Sequence, residues 1–232
     1  MMAITIQTSG PIEEKGTFVP RNKNFIQMLK DIQDEIDDQT DEYIDQVQKA
    51  IFSALRFCER LPFYFNESRE VVFTTLRGKN RYGREVSPFI AEAVQIVDVY
   101  LYKHSHKFKL LQTDPIMLES SENELDRGIP TRYAYFEQKL VLSPIPDDAY
   151  SIRLILNPMR IKEIETMQED SIWFLEAYEL IKTRAKYELY TNILKEPQMA
   201  AAAFAMFQEQ LEALTIETSR RKNLFQIQHT DF

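Results

Sequence analysis

The 232-residue chain carries 28 lysines and arginines against 36 aspartates and glutamates, a net charge of −8. That balance is wrong for a general nucleic-acid coat, which needs a cationic surface; the 44% hydrophobic and 12% aromatic content excludes a wholly disordered chain. A single cysteine, Cys58, rules out an intramolecular disulfide and a cysteine-based zinc cluster, and five glycines leave little material for Gly-rich phosphate loops.

No apolar run approaches the roughly 20 residues of a membrane span. Met1 to Gly10 has neither a basic n-region nor an apolar h-region, so the expectation is a soluble protein without a signal peptide. Residues 1–22 contain Gly10, Pro11, Gly16 and Pro20 without a steady period, and read as an extended arm.

From Phe25 the apolar residues recur every three to four positions: Phe25, Met28, Leu29, Ile32, Ile36. Thr40 is placed to cap a second helix, with Asp41 and Glu42 in its first turn. Its stripe is Ile44, Val47, Ile51, Leu55, Cys58 and Leu61, and Pro62 stops it. The short connection predicts an antiparallel helical hairpin. From Phe63 to Pro158 the period changes to two. Val71–Leu76, Ala93–Tyr102, Lys107–Leu111, Arg132–Phe136, Lys139–Ser143 and Tyr150–Leu156 read as strands. Arg77-Gly78-Lys79-Asn80, His104-Ser105-His106 and Glu137-Gln138 read as turns between them.

Helix returns after Ile161. Asp170 or Ser171 is placed to cap one long helix from Ile172 to Lys195, and Pro197 suits the first turn of a last helix with Ala200, Ala203, Phe204, Phe207, Leu211 and Leu214 on one face. Helical character fades after Thr218. The predicted fold is therefore mainly α with an inserted small antiparallel β-sheet, an α+β protein whose N- and C-terminal helices form a bundle. The divisions are an arm at 1–22, a domain at 23–222 (helical over 23–62 and 161–222, β over about 63–158) and a tail at 223–232. Acid concentrates on the helices: residues 25–66 carry four basic and nine acidic groups, and residues 161–232 eight and twelve, whereas residues 67–160 carry 13 of each.

Candidate chemistry is sparse. Gly78 and Gly83 have the glycine spacing of a phosphate loop, but the following Lys and Ser/Thr are missing and no helix is predicted directly behind. Arg77, Lys79, Arg81 and Arg84 then read as a basic hairpin tip and a candidate contact patch. His104 and His106 would share a strand face, yet two histidines do not make a metal site. Cys58 lies on an apolar stripe with no evident base, as a core residue would. The eight carboxylates between Asp31 and Asp45 fail the calcium-loop spacing, with Glu42 at the sixth place and Gln48 at the twelfth, and read as a solvated acidic face. No nucleophile elbow, HExxH or Ser/His/Asp set is present. No catalytic residue, metal or cofactor is expected. Arg220, Arg221 and Lys222, followed by the apolar Leu224, Phe225 and Ile227, form a candidate interface.

Gly128-Ile129-Pro130-Thr131-Arg132-Tyr133 is similar to the G-x-P-x-x-Y step of the head-to-tail adaptor proteins of tailed bacteriophages. Leu140-Val141-Leu142-Ser143-Pro144-Ile145-Pro146 resembles the L-x-L-x-P-x-P strand that follows, and Tyr150 to Leu156 the next strand. Trp173, Leu180-Ile181, Ala185 and Leu189-Tyr190 match the helix after it. Glu196-Pro197 opens the last helix. Arg56, Arg60, Phe63, Tyr64, Phe65 and Asn66 match a step after the first two helices. The resemblance runs from about residue 25 to 222; it departs at Asn157 and covers neither the arm nor the His104 region. It implies a structural virion protein at the head–tail junction: a ring, usually of twelve copies, under the portal protein. Such a ring extends the DNA channel, passes DNA without specific binding and docks tail or nozzle proteins, with no membrane involved. The rivals are another neck or tail-tube protein and a virion-associated peptidoglycan hydrolase.

Overall fold

A computed structural model describes residues 24–121, 126–161 and 171–223. Helix α1 (Phe25–Glu35) starts where the Asn24 side chain accepts the Gln27 N–H at 2.8 Å, and it buries Met28 and Ile32. Helix α2 (Ile44–Cys58) buries Val47, Ile51, Leu55 and Cys58, as its stripe requires. The cap expected of Thr40 is not made. Asp37 and Asp41 both turn to positive φ, 58° each, and bring the Asp38 carboxylate onto the N–H groups of Glu42 and Tyr43 at 3.0 Å each. A carboxylate there satisfies donors that the helix start leaves open.

The single helix expected from Ile172 to Lys195 is two. Ser171 caps α5 (Ile172–Glu176), Ala177 leaves helical geometry at φ −127° and ψ 25°, and α6 (Tyr178–Asn192) follows. The break lets Trp173, Phe174, Ala177 and Tyr178 all reach the core, more than one face of a straight helix presents. Helix α7 (Pro197–Asn223) runs past Thr218, correcting the predicted fade. Its last turns are held by a Glu217–Arg221 ion pair at 2.6 Å, by the Arg221 guanidinium stacked 3.8 Å over Tyr64, and by Thr218 Oγ1, which accepts the Tyr64 N–H. Helices from both ends of the chain share one apolar core that includes Ile32, Ile51, Leu55, Phe63, Trp173, Phe174, Ile181 and Phe207.

The middle of the chain is richer than one antiparallel sheet. Strands β1 (Val72–Thr74), β3 (Ile96–Lys103), β4 (His106–Lys109) and β10 (Ser151–Leu156) form an antiparallel sheet in the order β1-β10-β3-β4. A second sheet has the order β2-β8-β7-β5, from β2 (Arg81–Tyr82), β5 (Leu111–Gln112), β7 (Arg132–Phe136) and β8 (Lys139–Ser143). It is mixed, because β5 runs parallel to β7. The short β6 (Arg127–Gly128) and β9 (Ile145–Pro146) add a parallel pair. Strands of two residues carry no period, which is why the sequence shows one sheet where the described residues form three.

Helices α3 (Pro88–Glu92) and α4 (Pro115–Ser121) lie in the connections. The two larger sheets share a second core: Val99, Leu101, Ile152 and Leu154 from one, Tyr82, Tyr133, Leu140 and Leu142 from the other. Val141 and Ala134 face away from it and pack with Leu118 of α4.

One buried polar joint ties the two cores together. Asn66 Nδ2 donates to the Glu59 carbonyl at 2.9 Å, and its Oδ1 accepts the Met159 N–H at 3.1 Å. The buried Glu59 carboxylate accepts the Ile161 N–H at 2.7 Å and pairs with Arg56 at 3.3 Å. The chain thus enters and leaves the β region through the same joint.

Candidate assembly surface

The basic hairpin tip is positioned by Gly78, whose φ of 79° closes the turn after β1. Its four cations are not equivalent. Lys79 pairs with Glu85 at 3.2 Å and lies over the Tyr82 ring. Arg81 covers the Phe136 ring at 5.4 Å. Arg77 and Arg84 extend into solvent. The second glycine of the phosphate-like spacing serves packing. A Cβ on Gly83 would meet Glu85 Oε2 at 3.0 Å and Lys139 Cγ at 3.1 Å, and its N–H already donates to Glu85. The Glu85 carboxyl is held below its usual range, first by backbone N–H groups of its own turn and of Gly83, and then by Lys79.

His104 occupies the two-residue β3–β4 turn at φ 55°, while His106 pairs with Lys103 in the strand, so the two do not share a face. Among the described residues, no group of three or more His, Cys, Asp or Glu could hold a metal ion. Cys58 is buried, and burial pushes its thiol up to about 12, so it is a core residue without nucleophilic character.

The acidic segment is more structural than a solvated face. Asp31 accepts the Tyr178 hydroxyl at 2.8 Å, and Asp41 accepts from the Gln33 amide at 2.8 Å. Glu35 bridges Lys182 at 2.9 Å and Lys186 at 2.6 Å, joining α1 to α6. Burial raises the Glu35 carboxyl, but the two lysines outweigh it and hold it below the usual carboxylate range.

At the end of α7, Arg221 is committed to Glu217 and Tyr64, whereas Arg220 and Lys222 are exposed. Tyr64 donates to Glu176, and burial together with that carboxylate pushes its hydroxyl up to about 12. Leu224, Phe225 and Ile227 lie outside the described residues.

The sequence reading missed a set of large apolar side chains left in solvent on the β region. Leu111 is 69% exposed, Ile116 74%, Val72 57% and Phe108 48%. Leu111, Val72 and Phe108 look like ordinary strand residues in the sequence, and only the sheet order puts them at edges; Ile116 lies on α4. On the helices, a groove of about 240 Å³ between α2 and α6 is lined by Ala50, Leu189 and Ile193 with Gln46, Ser53 and Glu188. Exposed apolar edges of this kind are what a surface that meets partners presents.

The family model for the SU10 adaptor protein matches residues 23–226. The chain belongs to the SU10 adaptor family. This is a family of phage head-to-tail adaptors, structural components of the virion that associate with portal and tail proteins. The match spans both cores and the joint between them, so the adaptor family describes the whole folded part rather than one motif. No curated protein matches the chain. Among the described residues no helix is long and apolar enough to cross a membrane.

Proposed function

We propose that this adaptor closes into a ring under the portal, extends the DNA channel and offers the tail a docking surface. The observation that carries this reading is the family match over residues 23–226. Its physical support is the surface. Exposed apolar edges call for partners. The helical segments are net acidic, and where they line a channel like charge keeps DNA sliding rather than sticking. The terminal helices act as a bundle that carries the β region as an insert.

The free chain is monomeric or weakly associated and assembles on the portal, in twelve copies if it follows the family resemblance. Residues 219–232 contribute to docking on the portal or on a neighbour. Arg220 and Lys222 present charge there, and Leu224, Phe225 and Ile227 offer roughly 1.5–3 kcal/mol each on burial, before the ordering of the tail is set against it. Arg77 and Arg84 form a second contact patch.

Electron microscopy of the purified chain mixed with portal tests the reading. A ring of extra density on one face of the portal is expected, and a portal left unchanged would overturn it. Deleting residues 223–232 should preserve the fold and weaken portal binding in sedimentation; unchanged binding removes the tail from the interface.

A further inference from the structure

The first sheet has an even number of strands, and every neighbouring pair is antiparallel: β1-β10-β3-β4. Its two edges therefore run in opposite directions. Laid head to tail, edge β4 of one copy meets edge β1 of the next antiparallel, the stronger pairing geometry. Among the described residues no strand pairs with the outer side of either edge.

The hydrogen-bond phase of the two edges matches. On β1, the Val71 carbonyl accepts from Leu154 at 2.9 Å, and the Thr75 N–H donates to Tyr150 at 2.8 Å. Residues 71, 73 and 75 thus face inward, and Val72 and Thr74 aim their N–H and C=O groups outward. On β4, the Leu110 N–H donates to Val99 at 2.9 Å, so 110, 108 and 106 face inward, and Lys107 and Lys109 face outward. Val72 set opposite Lys109 places Thr74 opposite Lys107. Both pairs then exchange N–H···O=C bonds in one register.

The side chains agree with that register. Phe73, Ile152, Leu101 and Phe108 form one cross-strand row. The first three are buried, but the row ends in solvent at Phe108, 48% exposed. In the register above, Phe108 lands beside Phe73 of the next copy and the row continues. Lysines on an edge commonly guard against such pairing. Here Lys107 lies 3.8 Å over the Tyr100 ring, and Lys109 reaches Asp98 at 2.5 Å, so both side chains lean back over their own sheet and leave the backbone edge open. The exposed Glu70, beyond β1, falls diagonal to Lys109 and adds an opposite charge.

We propose that β4 of one copy pairs with β1 of the next, with Val72 opposite Lys109, joining the first sheets of neighbouring subunits edge to edge. The inference rests on the self-assembly proposed above and names its surface. The contact uses different patches on the two partners, the kind of contact that forms a ring where its rotation closes and an open helix where it does not.

The test is disulfide trapping in particles assembled with variant chains. A hydrogen-bonded antiparallel pair sets Cα atoms about 5.5 Å apart, within disulfide reach. Val72→Cys with Lys109→Cys, and separately Thr74→Cys with Lys107→Cys, should give a ladder of covalent multimers on oxidation. Val72→Cys with Lys107→Cys is two residues out of register and should give none, like the parent chain with its buried Cys58. Particles that contain the variant without any ladder overturn this interface and leave the adaptor reading standing. Particles of the parent phage that lack the chain overturn both. A second variant, Lys107→Pro, removes one outward N–H and spares the β3–β4 hairpin bonds. It should melt like the parent chain yet fail to enter particles; entry at the parent level overturns the pairing.

Discussion

The two cores use aromatic residues in different ways. In the helical core, rings meet rings: Phe25 and Phe52 stack at 5.2 Å, Phe63 and Phe65 at 5.4 Å, and Phe63 meets Trp173 edge-on at 6.2 Å. In the β core, tyrosines reach out of the packed layer to backbone. The Tyr82 hydroxyl donates to the Lys79 carbonyl at 2.5 Å, and the Tyr135 hydroxyl lies 2.6 Å from the Ile90 carbonyl and 3.0 Å from that of Ala93. The difference follows from where each architecture leaves its peptide groups. Helices satisfy their own backbone except at the ends, so their core needs only non-directional contact. Short strands joined by long connections strand carbonyls in the loops, and a tyrosine fills volume while its hydroxyl pairs one of them.

The sharpest way to break this comparison is to empty the helical core. Phe174→Ala removes a fully buried ring and should destabilise by about 3–5 kcal/mol in guanidinium unfolding. If the cores unfold as one unit, fluorescence from Trp173 and the far-ultraviolet signal shift together; if they are separate, the tryptophan transition moves alone. Next comes the joint. Asn66→Ala orphans the Glu59 carbonyl and leaves the Met159 N–H with only the Asn66 backbone carbonyl at 3.2 Å, at a cost of about 1–3 kcal/mol, and should split one transition into two. A single transition at the parent position would show that the cores couple elsewhere. Tyr135→Phe keeps the ring and loses the hydroxyl. It should cost about 1–2 kcal/mol, whereas removing a hydroxyl-free contact of similar area in the helical core would act through packing alone.

The smallest effect belongs to Glu35→Gln, a few tenths of a kcal/mol at neutral pH for a half-exposed bridge. The folded carboxyl titrates below its unfolded value of 4.5. Its contribution is therefore fully present above that value and is lost as pH falls through the lower folded one. The melting difference between parent and variant should shrink over that acid window, and a difference that grows there would contradict the bridge.

The helical core was largely legible in the sequence, since Met28, Ile32, Val47, Ile51, Leu55, Phe207 and Leu214 sit at helical spacing and all are buried. So was the β7–β8 hairpin, with its ends at Arg132, Phe136, Lys139 and Ser143 and its turn at Glu137 and Gln138, both at positive φ. The break at Ala177 was not, because alanine favours helix and only the demand for four buried side chains in six residues opposes it. The second sheet was not, because its outer strands are two residues long. Of the candidate surface, the basic tip and the Arg220–Lys222 cluster could be named. The exposed edges could not, since Val72 and Phe108 become edges only when distant strands take their order.

The end of α7 has a mechanical consequence. Its last turns grip Tyr64, one residue from Phe63 in the helical core and two from Asn66 in the joint. A pull applied beyond residue 223 does not meet a fraying helix end first. It loads the Arg221 stack and the Thr218 bond, and through them the short stretch that holds both cores. Tension from whatever the chain end binds is thus delivered to the stretch of chain that touches both cores.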